Sequence, residues 1–168
     1  MPSSAKSISP EGRVAALQAR IDEALPALVD GRSPAVLYDA VEHVLRAGGK
    51  RVRPVLLLLV AEAHGASVDR ALPAALAVEV FHNFTLVHDD LMDDDEERRG
   101  GPTVHAKWDT GTAVLTGDLM MGLSYDLLGQ VEGTDGEALY SVYHPMVEDL
   151  CAGQALDASF ESEPAVSG

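Results

Sequence analysis

A chain of 168 residues with a formal net charge of −15 excludes general nucleic-acid binding and docking on anionic membranes, since both need basic surface. Hydrophobic residues make up 46 % but aromatics only 5 %, so Ala, Leu and Val carry the burial, which favours packed helices over a β-sandwich. The length fits one domain with a core of its own, and Cys151, the single cysteine, excludes an internal disulfide and fits a reducing, cytoplasmic setting.

In chain order, residues 1–9 predict a flexible tail, and this stretch lacks the apolar segment of a signal peptide. Ser9-Pro10 supplies an N-cap followed by Pro at the first helical position, predicting a helix to about Val29. Ser33-Pro34 repeats the device, Val36, Leu37, Val41, Val44 and Leu45 mark one face, and Gly48-Gly49 ends that helix. A third helix is expected from Arg53-Pro54 to Gly65, and a fourth from after Asp69 to about Met92. Residues 94–110 read as loop with at most a short helical turn. Two more helices follow, about 111–130 and 135–158, and the closing ESEPAVSG reads as polar loop. The apolar run 54–63 is too short to span a bilayer, and the run 71–88 is broken by Pro73, Glu79, His82 and Asn83, so both predict buried helices. No alternating strand-like segment stands out. The fold class expected is all-α with mostly short connections.

The end of the fourth helix is chemically unusual. From Asp89 to Glu97 every residue but Leu91 and Met92 is a carboxylate. On a helix, positions i, i+4 and i+7 overlie, so His82, Asp89 and Asp93 share a face with Asp90 at its flank. Carboxylates one turn apart repel, and a hard divalent cation such as Mg²⁺ removes that cost. Asp94, Asp95, Glu96 and Glu97 lie past this face and read as solvated acids. In GGKRVRP, residues 48–54, two glycines free the backbone at a helix end and three cations follow, a pattern able to hold phosphate. Arg98-Arg99 is a second cationic cluster, able either to bind an anion or to neutralise the nearby acids. Two cationic clusters and one carboxylate face suit a substrate pair with two polyanionic groups, one of which departs with the help of Mg²⁺.

From about Leu37 to Phe160 the sequence closely resembles the trans-type prenyl diphosphate synthases, the polyprenyl synthetase family. GGKRVRP, FHNFTLVHDD, the aspartate-rich Asp89-Asp90-Leu91-Met92-Asp93, RRGGPTVH, TGD at 116–118 and GQALD at 153–157 carry the resemblance. It implies an isoprenoid synthase-type helical bundle. It implies that Asp89 and Asp93, assisted by Asp90, hold Mg²⁺ against an allylic diphosphate that Arg98 also contacts. Lys50, Arg53, His82 and Arg99 would bind the diphosphate of isopentenyl diphosphate; without the motif His82 would read as a core histidine. His105 and Gln154 have family-like surroundings but receive no role. Phe84 or Thr85, just before Asp89, would floor the pocket, and Phe84 would imply a short product, farnesyl or geranylgeranyl diphosphate. Family members commonly form homodimers, and no stable membrane insertion is expected.

The family's second half carries another aspartate-rich motif and a lysine-threonine pair, whereas here no DDxxD follows Asp109 and no lysine follows Lys107. Residues 1–168 are therefore expected to form a single partial domain, the N-terminal half of such an enzyme, truncated and inactive alone. The competing expectations are a non-catalytic partner subunit of a heteromeric synthase and a class I terpene cyclase. A cyclase has no use for the second diphosphate site that GGKRVRP and Arg99 would make.

Overall fold

Ser9 caps the first helix as its sequence requires, its hydroxyl accepting the Gly12 N–H at 3.2 Å. The computed structural model describes residues 9–162, so residues 1–8 of the tail expected over 1–9, and residues 163–168 of the loop expected over 161–168, lie outside the described residues. Helix α1 (Pro10–Ala27) buries Leu17, Ile21 and Leu25 along one face, and Val29 beyond it is also buried. Helix α2 (Ala35–Arg46) buries Ala40, Val41 and Leu45. Ser33 does not cap α2: Pro34 occupies the cap position and no side chain bonds the first turn. Helix α3 (Val52–Ala63) begins two residues before the expected Pro54, because Arg51 in a left-handed conformation (φ 48°) turns the chain into it.

Helix α4 (Val68–Met92) is capped by Ser67 and is the centre of the bundle, packed on α1, α2, α3 and α6. Its buried residues encircle it, Ala71, Ala75, Leu76, Val80, Phe84 and Val87 among them, which is why it reads as nearly continuously apolar. Ion pairs from Arg13 to Glu62 and from Arg20 to Asp69 lace α1 to α3 and to the start of α4.

The region expected to be loop contains a hairpin. Strands β1 (Glu97–Arg98) and β2 (Gly101–Pro102) pair antiparallel, joined by Arg99 (φ 53°) and Gly100 (φ 80°). Two central residues with positive φ define the type I′ turn that matches strand twist. A residue followed by glycine between short strands was the available signal, masked because each strand is two residues long. The expected helical turn is α5 (Val104–Lys107). Helix α6 (Thr110–Gly129) starts from Asp109, whose Oδ1 accepts the Thr112 N–H at 2.8 Å.

The contacts divide the chain into two compact units, residues 1–131 and 132–168. The second contains α7 (Gly136–Ser162), which runs past its expected end at 158 and exposes Val142, Leu156 and Phe160. The class is all-α, as expected, with one small hairpin. Among the described residues no helix is long and apolar enough to cross a membrane.

Candidate active site

The last turn of α4 ends in a Schellman arrangement. Asp93 is the C-cap, Asp94 adopts φ 56°, and the Asp95 N–H bonds the Asp90 carbonyl at 2.9 Å. Asp93 therefore remains one turn beyond Asp89, its N–H bonding the Asp89 carbonyl at 2.8 Å. Acids at a helix C-terminus meet the negative end of the macrodipole, so this end is electrostatically unfavourable without a cation. Asp89 is half-buried, and burial first, then the Asp93 charge, raise its carboxyl above the ordinary value, with Asp90 adding to it and Arg98 opposing. Asp90 faces inward, 5 % exposed, and accepts a bond from Arg98 Nε. Burial raises its carboxyl too, although the Arg98 bond pulls the other way.

Among the described residues no three His, Cys, Asp or Glu side chains form a metal-holding cluster. Mg²⁺ needs only one or two carboxylates when phosphate oxygens complete its shell, and Asp89, raised by burial and the Asp93 charge, with Asp93 one turn beyond it fits that requirement. Asp90 is engaged by Arg98 instead.

The cationic turn is held from inside. Arg51, 3 % exposed, donates through Nε to Asp22 at 2.8 Å, through Nη1 to Glu79 at 2.7 Å and through Nη2 to the Leu45 carbonyl at 2.9 Å. The Lys50 carbonyl accepts from Gln18 at 2.8 Å. Lys50 and Arg53 are left exposed on either side of Arg51. Arg99, at the tip of the hairpin, donates to the Gly48 carbonyl and to Asn83 Oδ1, the latter at 3.3 Å. Gly49 (φ 147°) adopts a backbone conformation that side chains rarely tolerate, whereas a Cβ there would make only an ordinary contact with the Arg99 guanidinium at 3.4 Å. Partial burial and the nearby Arg51 charge lower the Arg99 guanidinium below its ordinary value.

Half-buried His82 lies in the field of Arg53, Arg99 and Arg98; desolvation first and then these charges lower it below the usual histidine range, with Glu79 opposing. The fold thus brings His82, Arg53, Arg98 and Arg99 into one neighbourhood next to Asp89. A cavity of about 250 Å³ beside it is lined by Asn83, Asp90, Arg98 and Arg99, with an apolar flank including Leu86 and Val104. His43 bonds the Pro102 carbonyl at 2.9 Å and Lys107 at 3.2 Å, anchoring the hairpin to α2.

Sequence reasoning counted Arg51 among the phosphate-holding cations, whereas it is buried on Asp22 and Glu79, and it gave no role to Glu79, Asn83 or His43. For Glu79 and Asn83 the signal was two polar residues at i, i+4 on an otherwise apolar helix. Phe84 is buried against Phe81 and His88, ring centroids 5.0 and 5.2 Å away, on the flank that meets α6 rather than along the line of Asp89 and Asp93. His105 lies 3.3 Å from Thr103 Oγ1 and 3.9 Å from Asp94. In TGD, Gly117 is occupied closely by the His88 ring, and Asp118 stands 4.0 Å from His88. Gln154 lies on α7.

The geranylgeranyl diphosphate synthase of Methanosarcina mazei is 42 % identical over 159 residues, covering 94 % of this chain and 48 % of its own length. That of Saccharolobus solfataricus is 45 % identical over 130 residues, 75 % of this chain and 39 % of its own. The crystal structure of a geranylgeranyl pyrophosphate synthetase from Pyrococcus horikoshii superimposes with a TM-score of 0.85 at 40 % identity, covering 94 % of this chain and 50 % of that one. The chain spans about half the length of the curated relatives it matches. The polyprenyl synthetase family model matches residues 34–167, from the start of α2 through the described length of α7, so the chain belongs to the polyprenyl synthetase family.

Proposed function

We propose that this chain carries the diphosphate- and metal-binding face of a prenyltransferase that joins isopentenyl diphosphate to an allylic diphosphate. The convergence of Arg53, Arg98 and Arg99 on His82, next to Asp89 and Asp93, supports this reading most directly. Lys50, Arg53, His82 and Arg99 bind the diphosphate of isopentenyl diphosphate. His82, held neutral, offers a hydrogen bond without adding to the cationic repulsion. Asp89 and Asp93 hold Mg²⁺, and Arg98, steered by Asp90, contacts the allylic diphosphate.

Bound Mg²⁺ supplies charge neutralisation for the departing diphosphate. The allylic C–O bond breaks, with its electron pair leaving on the diphosphate. The double bond of isopentenyl diphosphate forms the new C–C bond to the allylic cation, and the released diphosphate takes the proton whose loss restores a double bond. Arg98 spreads the negative charge that accumulates on the departing diphosphate. The apolar flank of α4 keeps water from the cation. A homodimer and a cytoplasmic setting belong to the same reading. A terpene cyclase is disfavoured by the second cationic cluster, and a non-catalytic partner subunit would show labelled isopentenyl diphosphate incorporation only with a complete partner chain.

Calorimetric titration with inorganic pyrophosphate tests the site without requiring turnover. Binding is expected to depend on Mg²⁺ and to weaken by about tenfold or more in Asp89→Asn and Asp93→Asn, the scale of one lost charge-assisted contact. Binding indifferent to Mg²⁺ and to both substitutions would reject the reading.

A further inference from the structure

Beneath the exposed cations runs a chain of polar groups that the reaction itself does not use. Arg51 joins Asp22 to Glu79, and Glu79 Oε1 also accepts from Asn83 Nδ2 at 3.3 Å. The same Nδ2 bonds the Glu79 carbonyl at 2.8 Å. With its amide nitrogen committed to Glu79, Asn83, 1 % exposed, can turn only its oxygen outward, and that oxygen receives Arg99 Nη1 at 3.3 Å. The same Nη1 also donates to the Gly48 carbonyl, and the guanidinium lies beside Gly49. A buried ion pair such as Arg51–Glu79 adds no net stability over well-packed apolar groups, so its presence calls for another account. Orientation supplies it: Arg99 sits at a left-handed turn position where a long side chain would otherwise sample many directions.

We propose that Asn83 is a positioning residue, held by the Arg51–Glu79 pair, that aims the Arg99 guanidinium and keeps it against the Gly48–Gly49 turn. This rests on the reading above that Arg99 binds a diphosphate. The test is a double-mutant cycle on the chain, with isopentenyl diphosphate, the ligand assigned to Arg99, as the probe. Asn83→Ala is expected to weaken binding by about tenfold, as coupled neighbours do, and Arg99→Ala by at least as much. The double variant should bind no worse than Arg99→Ala alone, because Asn83 acts only through Arg99. In parallel, the side-chain NMR signals of the Arg99 guanidinium should report hindered rotation in the wild type and free rotation in Asn83→Ala. Should Asn83→Ala fold poorly, near-isosteric Glu79→Gln is expected to give the same pattern more weakly. Additive losses, or Arg99 signals indifferent to residue 83, overturn the positioning role while leaving the diphosphate site standing. Isopentenyl diphosphate binding unaffected by Arg99→Ala overturns the diphosphate reading of Arg99 and this proposal with it.

Discussion

Asp89 and Asp90 carry opposite bargains at neighbouring positions. Asp90 is buried but paired with Arg98, whereas Asp89 is half-buried beside Asp93 with only a distant share of that arginine. The folded state raises the Asp89 carboxyl above its ordinary value, so it binds a proton more tightly than the unfolded chain does. Stability from this group is therefore highest in acid and falls as pH rises from the ordinary aspartate value through the raised one. Without Mg²⁺, Asp89→Asn is expected to melt higher than the wild type near neutral pH, by under about 1 kcal/mol for so partly exposed a charge. The gap should close as pH falls and vanish below the ordinary aspartate value. Thermal melts of both proteins across that window check it, and a variant less stable at neutral pH would refute the repulsion. The i, i+4 spacing made Asp89 and Asp93 legible in the sequence. The inward turn of Asp90 was not, because nothing in DDLMD says which of two adjacent acids Arg98 will take.

At the scale of elements, the central α4 was legible because its apolar run ends sharply in acids, and α6 because Asp109 and the glycines near 129–136 bracket it. The hairpin was hidden by its brevity, yet it delivers Arg98 and Arg99 to the site. The α4–α6 contact depends on one missing side chain: any Cβ at Gly117 would collide with the His88 ring, itself bonded to the Val114 carbonyl at 3.3 Å. Gly117→Ala should destabilise by about 1–3 kcal/mol, the usual cost of overpacking. In a His88→Ala background the same substitution should be nearly free. Denaturant titration of the four proteins measures this, and equal penalties in both backgrounds would remove the steric explanation.

Over the whole molecule, the net charge is an average that conceals a division. All twelve Lys and Arg residues lie at or before Lys107, and from Glu132 to Gly168 there are eight acids and none of these cations. Composition argues against a polyanionic macromolecule as partner, yet a basic patch that includes Arg53, Arg98 and Arg99 persists within the first unit because it is built locally by the turn, the hairpin and α4. A protein with strong acidic bias can thus keep a locally cationic surface where backbone geometry gathers its few cations.

The burial of Arg51 also sets its chemical reactivity. An α-dicarbonyl reagent must reach a free guanidinium, and Arg51 is 3 % exposed with all its accessible directions taken by Asp22, Glu79 and the Leu45 carbonyl. Mass spectrometry after brief labelling should find Arg53 and Arg99 modified and Arg51 untouched. An acylating reagent should meanwhile mark exposed Lys50, its immediate neighbour. Adjacent basic residues of one short turn would then behave as a tether and a probe, distinguishable by label alone, and a modified Arg51 would report that the turn had come loose.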